Sequence, residues 1–269
     1  MESQSVILCE RQQIRKTGIE LPVTAPPSSK DFGERQATMD AVTAESIRNP
    51  AEEFGTQFAE KSERHTVEIG LPKTSANHAY LVFKRLFDVV FSLTLIVLSC
   101  IPMAIIALLI RLDSPGAALF RQERLGKDGE PFTILKFRSM RINAEKDGPK
   151  WADKDDPRCT NLGRILRKSR IDELPQLWNI LKGDMSFVGP RPERACFYDE
   201  FEIYIHGFRN RLVVKPGLTG WAQVNGGYDL KPEQKIVYDM EYIQKRSIKM
   251  DMMCIFKTIH LIFTHEGAR

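Results

Sequence analysis

A chain of 269 residues, 42% apolar and 28% charged, has room for one or two domains and enough apolar side chains to build a core, which excludes a wholly disordered protein. Its five cysteines are odd in number and include no CxxC pair, which argues against a disulfide framework or zinc site and favours a reducing compartment. The net charge of +4 is uneven: residues 1–76 carry 9 Lys/Arg against 12 Asp/Glu, while the rest carry 30 against 23, so the basic part suits anionic partners such as nucleotide or lipid phosphates.

The polar N-terminus has no early apolar run followed by a small-residue cleavage site, so no secretory signal peptide is read there. Residues 1–76 hold only Phe32, Phe54 and Phe58 of the aromatic side chains and contain Pro26-Pro27-Ser28-Ser29. They are expected to form a largely disordered cytosolic tail, with one short helix near 38–62.

From Val89 to Ile110 the chain runs for 22 residues without a charge. A helix of that length reaches roughly 33 Å, about the thickness of bilayer hydrocarbon. Pro102 lies inside the run and favours a kink. Lys84 and Arg85 precede the run, and Arg111, Arg121, Arg124 and Lys127 follow it. A simple spanning helix usually has its basic flank on one side only. Two readings therefore stay open on these residues: a helix that bends near Pro102 and returns to the same face, or a plain transmembrane helix with a tolerated proline.

Beyond it, Pro115-Gly116, Lys127-Asp128-Gly129 and Lys146-Asp147-Gly148-Pro149 mark turns. Ala118–Leu125 lies between the first two turns, and Phe132–Phe137 alternates as a strand does. Leu162, Ile165, Leu166 and Ser169 have helical spacing. A further helix is predicted from about Asp172 to Lys182, with Leu174, Leu177, Trp178 and Leu181 on its apolar face and Gly183 at its end. Met252, Ile255, Phe256, Ile259, Ile262 and Phe263 form a last apolar stripe, for core packing or for a surface helix on lipid.

Asp172 and Glu173 are the candidate chemical centre. A lone Asp at a helix start is ordinarily an N-cap. Here two adjacent carboxylates follow Arg164, Arg167, Lys168 and Arg170. Cations at a helix start attract phosphate. Two carboxylates beside a phosphate suit Mg²⁺, which shares oxygen ligands with substrate phosphates. Pro190 and Pro192 bracket Arg191 and stiffen it as a phosphate clamp requires. Lys136 and Arg138 share one face if the segment is a strand. The Pro216–Gly227 segment, with Trp221, Gln223 and Asn225, is either a wall for a base or sugar or a structural loop. Asp153-Lys154-Asp155-Asp156 resembles the metal-binding DxD of glycosyltransferases, a pattern that solvated loop charge also satisfies. His206 and His260 have no partner at ligand spacing and are read as packing or surface residues. No P-loop, GxSxG, zinc-finger or RNA-recognition signature is present, which argues against nucleic acid as a partner.

Taken together, Lys84-Arg85-Leu86-Phe87-Asp88, Arg121 to Gly126, Phe132 to Met140, Leu166-Arg167 through Asp172-Glu173-Leu174-Pro175-Gln176, Gly183 to Pro192 and Pro216 to Asn225 resemble the bacterial sugar transferases. These are small monotopic phosphoglycosyl transferases. The resemblance covers roughly residues 78–264. It implies an α+β, mainly helical fold: a small membrane-associated catalytic domain with a Pro-broken, re-entrant membrane helix. It divides the chain into a tail over 1–76, a membrane-inserted helix over 77–112, and a cytosolic catalytic domain over 113–269 with amphipathic interfacial helices.

The resemblance also implies an enzyme that moves a sugar 1-phosphate from a UDP-sugar to polyprenyl (undecaprenyl) phosphate. Asp172 is the implied nucleophile, forming a covalent phosphosugar as UMP leaves. Glu173 and Mg²⁺ assist, with the metal on Asp172 or Glu173. Arg167 and Arg191, and less directly Lys136 and Arg138, are the implied phosphate ligands. The implied setting is the bacterial inner membrane, catalytic domain on the cytoplasmic face, at the first step of exopolysaccharide or glycan assembly. Homo-oligomers are compatible with it. One departure is Asn225-Gly226-Gly227, where other members have Asn-Gly-Arg. The competing readings are a glycosyltransferase that releases UDP and a non-catalytic membrane scaffold that binds nucleotide sugar.

Overall fold

The computed structural model describes residues 67–72, 77–145, 156–226 and 230–264, all within the unit Val67–Arg269. The expected helix near 38–62, the Lys146–Pro149 turn, Asp153 and Asp155, and Gly227 lie outside the described residues.

Helix α1, His78–Asp113, is started by Asn77, whose side chain accepts the Ala79 amide at 3.1 Å. Its 36 residues would reach about 54 Å if straight, well beyond bilayer hydrocarbon. The helix continues through Pro102 as one element, where the sequence led us to expect a break. A proline removes a single amide donor, so its neighbours can keep helical dihedrals.

The inward face of α1 is a narrow stripe at helical spacing: Asp88, Ser92, Leu95, Ile96, Met103, Ile106, Ala107 and Ile110. The remaining faces are bare hydrocarbon, with Leu98, Ile101 and Leu112 each 70% exposed or more. A core helix would not leave such surface to water. By length and composition α1 is apolar enough to cross a membrane.

Both halves of α1 rest on the same folded unit. Before Pro102, Arg85 donates to the carbonyls of Ile180 and Leu181 at 2.8 Å each. Asp88, buried, accepts from the Phe187 amide at 3.0 Å and the Ser186 hydroxyl at 3.1 Å. After Pro102, Ile110 packs with Phe137 and Leu166. Arg138 then closes the helix end, donating to the carbonyls of Ser114 and Pro115 just beyond it and to that of Ile110, which also accepts the Ser114 amide.

Strands β2, Leu119–Leu125, and β3, Pro131–Phe137, form an antiparallel hairpin in register from Leu119↔Phe137 to Leu125↔Pro131. Asp128 and Gly129 supply the left-handed residues of the connecting turn. Helix α2, Asn161–Lys168, is capped by Thr160, whose hydroxyl accepts the Gly163 amide at 2.9 Å. A 3-10 turn, Ile171–Glu173, follows, and α3 spans Gln176–Lys182. The expected helix start at Asp172 is therefore displaced. Pro175 has no amide for an α-type bond to Ile171, and the first bonds here are of the shorter kind, Leu174 to Ile171 and Leu177 to Leu174. Gly183 ends α3 in the left-handed region, as its place in the sequence requires.

Asn179 of α3 fastens the helix to the hairpin edge. Its amide group donates to Thr133 O at 2.8 Å and accepts from Leu135 N at 3.1 Å, as a neighbouring strand would. Strand β4, Ser186–Val188, helix α4, Ala195–Glu202, and strand β5, Ile205–His206, come next. Strand β6, Gly217–Thr219, and helices α5, Trp221–Asn225, α6, Pro232–Lys245, and α7, Ile248–Thr264, complete the unit. β4 and β6 pair in parallel, and β1, Val67–Glu68, pairs in parallel with β5. Residues 67–72, which the sequence groups with the tail, are thus tied to the folded unit; Ile69 also accepts from Asn210 at 2.8 Å.

The core is built from β3, α3, β4, β5 and α6, with Leu177, Ile180, Met185, Ile205, Ile236 and Ile243 almost fully buried. Each such side chain contributes roughly 1.5–3 kcal/mol by leaving water. A buried clamp joins three helices: Asp251 of α7 accepts from Tyr80 at 2.9 Å and Lys84 at 2.8 Å on α1, and from Tyr242 at 2.8 Å on α6.

Asp88→Ala leaves the Phe187 amide and the Ser186 hydroxyl unpaired in the core. It is expected to cost about 2 kcal/mol or more, while Leu98→Ala, which removes no internal contact of that kind, stays within about 0.5 kcal/mol. Thermal unfolding of both variants in the same detergent checks this; equal melting temperatures would refute the docking role of Asp88.

Candidate active site

Glu173 is fixed from two sides. Lys136 Nζ, on the strand face shared by Phe132 and Ile134, lies 3.0 Å from Glu173 Oε1. Arg191 Nη2, from the proline-bracketed loop, lies 2.5 Å from the same oxygen. Among the described residues, Glu173 Oε2 takes no hydrogen bond, and neither does the Asp172 carboxylate. Asp172 is otherwise buried, and it borders a cavity of about 610 Å³. It does not cap the following helix: no first-turn amide donates to it, and Arg170, in the left-handed region, precedes the turn instead.

The two carboxyls are driven apart electrostatically. Burial, and then the charge of Glu173, push the Asp172 carboxyl up to about 6, against Lys136, Arg167 and Arg191. Burial also opposes ionisation of Glu173. There the charges and hydrogen bonds of Arg191 and Lys136 outweigh it and hold the carboxyl below the usual range. One group is thus locked as an anion, and its neighbour is an unusually basic carboxylate open to the cavity.

Among the described residues, ten lysines and arginines and four carboxylates border that cavity. Arg167, on α2, lies on it and bonds Cys159 Sγ at 3.2 Å. Gly163, one turn earlier on the same face, lets α2 back directly onto the Ser139 peptide: a Cβ there would sit 1.9 Å from Ser139 O. Of the four cations that precede the pair in sequence, Arg167 and Arg170 reach the cavity; Arg164 and Lys168 point to solvent. Arg138 borders the cavity, but its guanidinium is spent on the end of α1 rather than turned to the carboxylate pair.

Other candidates take structural places. Trp221 donates to Glu241 at 2.8 Å, its ring carries Lys257 at 4.7 Å, and Lys257 bonds Asn225 at 2.9 Å, so this segment braces α6 and α7, and none of its described residues borders the cavity. Asp156 forms a two-point pair with Arg158, at 2.8 Å and 2.6 Å, which holds its carboxyl down at about 2. Sequence reasoning missed Lys235 on α6 and the pairs Arg124–Glu193 at 3.2 Å and Arg194–Glu145 at 3.0 Å, all on the cavity. Arg124 stood in a recognisable motif without an assigned task; Lys235 had no local signal at all.

Among the described residues no group of three or more His, Cys, Asp or Glu is arranged to hold a metal ion. The Asp172–Glu173 pair still fits Mg²⁺. It offers one carboxylate without hydrogen bonds and one spare carboxylate oxygen, and Mg²⁺ commonly takes only one or two protein carboxylates beside substrate phosphates.

The chain matches the family described as Bacterial sugar transferase over residues 79–265. It is 45% identical over 193 residues to the UDP-N-acetylgalactosamine-undecaprenyl-phosphate N-acetylgalactosaminephosphotransferase of Aeromonas hydrophila, covering 71% of this chain and 46% of that protein. Among further matches are proteins named UDP-glucose:undecaprenyl-phosphate glucose-1-phosphate transferase. That of Caulobacter vibrioides is 43% identical over 69% of this chain and 71% of its own length. That of Escherichia coli is 38% identical over 70% of this chain and 41% of its own length. The chain therefore spans less than half of the Aeromonas and Escherichia relatives.

The electrostatics of the pair can be read with a water-soluble carbodiimide, which modifies protonated carboxyls, and residue-resolved mass spectrometry on metal-free protein. Labelling of Asp172 should fall as pH rises through about 6, with Glu173 unlabelled there. Glu173→Gln removes the neighbouring negative charge, so the Asp172 midpoint should move to lower pH. A wild-type midpoint near an ordinary aspartate, about 3.9, would overturn this picture.

Proposed function

This chain belongs to the bacterial sugar transferase family, and we propose that it transfers a sugar 1-phosphate from a UDP-sugar to polyprenyl phosphate through a covalent intermediate on Asp172. The observation that carries the reading is the Asp172 carboxylate itself: unbonded, more basic than usual, and facing a cationic cavity beside an anion held by Lys136 and Arg191. A carboxylate above its usual pKa is a better nucleophile and is still mostly ionised above pH 7.

In the first step an Asp172 oxygen attacks the β-phosphorus of the UDP-sugar. The bond from that phosphorus to the oxygen bridging to the α-phosphate breaks, and UMP leaves with the electron pair. In the second, an oxygen of polyprenyl phosphate attacks the same phosphorus, the acyl phosphate bond breaks, and the Asp172 carboxylate is restored. One phosphoanhydride replaces another, so positioning and charge neutralisation are the main demands. Arg167 and Arg191 are suited to hold phosphate oxygens. Asp172 and Glu173, the latter through Oε2, would hold Mg²⁺, which when bound neutralises phosphate charge. The two kinds of relative differ in the sugar they are named for and agree in UDP and undecaprenyl phosphate, so the proposal takes the shared part. It places the enzyme at the start of exopolysaccharide or glycan assembly.

For topology we propose that α1 enters the bilayer from the cytoplasmic side and returns to it, with Pro102 as the place for a bend. Support comes from the fastening of both halves of α1 to one unit, through Arg85 and Asp88 at one end and Arg138 at the other. A crossing helix would separate its ends by the thickness of the membrane. Exposed Met253, Phe256, Ile259 and Ile262 on α7 suit a surface lying on lipid, where a polyprenyl phosphate is met.

The test is to incubate purified, membrane-reconstituted protein with a panel of UDP-sugars and undecaprenyl phosphate, scoring nucleotide and lipid products together. UMP and a diphosphate-linked lipid are expected, and Asp172→Asn should lower turnover about a thousandfold or more while the protein still folds. UDP as the sole nucleotide product would instead favour simple glycosyl transfer and sink the proposal.

A further inference from the structure

The segment from Gly189 to Glu193 belongs to no helix or strand, yet its carbonyls are gripped from several directions. Pro190 O accepts from Gly217 N at 2.9 Å, and Glu193 O from Leu125 N at 3.1 Å. Pro192 O accepts from Arg124 at 3.4 Å, and Val188 O, just before the segment, from Tyr242 at 3.1 Å. Arg191 O accepts from Arg211 Nη2 at 2.9 Å. That last bond acts on the very peptide that carries the cation touching Glu173.

Arg211 reaches Arg191 from inside the protein. It stands on a 3-10 helix, Phe208–Val213, with its guanidinium 5.0 Å from the Phe208 ring centroid. Its Nη2 also lies 2.7 Å from Asp239 Oδ2 on α6, and both side chains are only 1% exposed. Burying a charged pair so completely is a poor way to gain stability, since apolar side chains of similar volume do as well or better. A rigid guanidinium whose Nη2 meets both the Arg191 carbonyl and the Asp239 carboxylate, and so holds one carbonyl in one place, is a good use of it.

We infer that Arg211 and Asp239 are positioning residues for Arg191: Asp239 orients the Arg211 guanidinium, which fixes the Arg191 carbonyl, and thereby the reach of the Arg191 side chain to Glu173. The inference rests on the reading of Asp172 and Glu173 as the reaction centre. Neither Arg211 nor Asp239 is assigned contact with substrate. They act through the geometry of a loop whose two prolines already restrict it, and the buried pair selects the final position.

The experiment measures the single-turnover rate of UMP release per folded, membrane-reconstituted protein, with folding followed by circular dichroism and melting temperature. Arg211→Lys keeps a charge opposite Asp239 but replaces the planar guanidinium by a shorter side chain, whose ammonium ends short of the Nη2 position. Asp239→Asn keeps the shape and removes the charge. Each is expected to slow the rate about 10- to 100-fold, the scale of a small misplacement in an active site, with the amount of phosphosugar-enzyme formed unchanged. The decisive measurement repeats both changes in an Arg191→Gln background. If the pair acts through Arg191, its effect there should shrink to less than about threefold. Losses that multiply fully in that background, or that appear only as less folded protein, would overturn the inference, as would failure of both variants to fold. Arg209→Gln, an exposed neighbour, is the control expected to leave the rate unchanged. The nucleotide released by wild-type protein separates the two failures. UDP removes the reaction and takes this inference with it; UMP with multiplicative losses removes the inference alone.

Discussion

Lys136 and Arg191 arrive from opposite sides at one oxygen of Glu173, and much of the fold serves to bring them there. Lys136 follows from strand parity, because Phe132 and Ile134 commit that face of β3 to the interior. The strand is held against α3 by the side-chain amide of Asn179. Arg191 follows from a loop with two prolines and a carbonyl held at nearly every step. A buried carboxylate without partners takes up a proton. With these two cations in place, Glu173 stays charged, and its charge falls on Asp172.

The basic flanks of the apolar helix have a second use. In the sequence they read as charges that keep to the cytosolic side of a membrane. In the structure Arg85, of the preceding flank, satisfies carbonyls near the end of α3, while Arg138, which lies beyond the flanks in sequence, donates to carbonyls at the other end of α1. Lys84 joins the buried Asp251 clamp. Lys84 and Arg85, the side chains that resist entry into lipid, therefore also fasten the helix to the protein. A hydrocarbon-covered helix has little directional preference of its own, so these polar contacts at its two ends are what fix its orientation on the unit.

Local signals in the sequence were read well where the cause is local. The β2–β3 hairpin, the end of α3 at Gly183, the helix around Leu166 and the adjacency of Asp172 and Glu173 depend on turn residues, periodicity or covalent neighbours. So does the stiffness around Arg191. What escaped has a non-local cause. Arg138 does border the cavity, but its bonds to the end of α1 show only when that helix is laid beside it. Arg211 and Asp239 are 28 residues apart, and each has a nearer cation four residues away in sequence, Lys215 and Lys235, that gives no hint of the pair they form. Lys235 is likewise placed by how helices pack, which periodicity does not report, and the same packing gives Trp221 the bracing place that is one of its two readings in the sequence. The two-to-three-residue strands β1, β4, β5 and β6 are too short to carry an alternation. The start of α3 was displaced because a single missing amide, at Pro175, governs which bonds the turn can make.

Gly163 acts as a gauge. Its bare backbone against the Ser139 peptide sets the closest distance at which α2 can lie, and Arg167 stands one turn along the same face. The reach of a long cationic side chain is thereby calibrated by the absence of a methyl group. Even the smallest side chain at 163 would act as a shim, lifting the helix and drawing the guanidinium back from the cavity. Thickness at one backbone crossing, rather than the length of the arginine, fixes how far that charge extends.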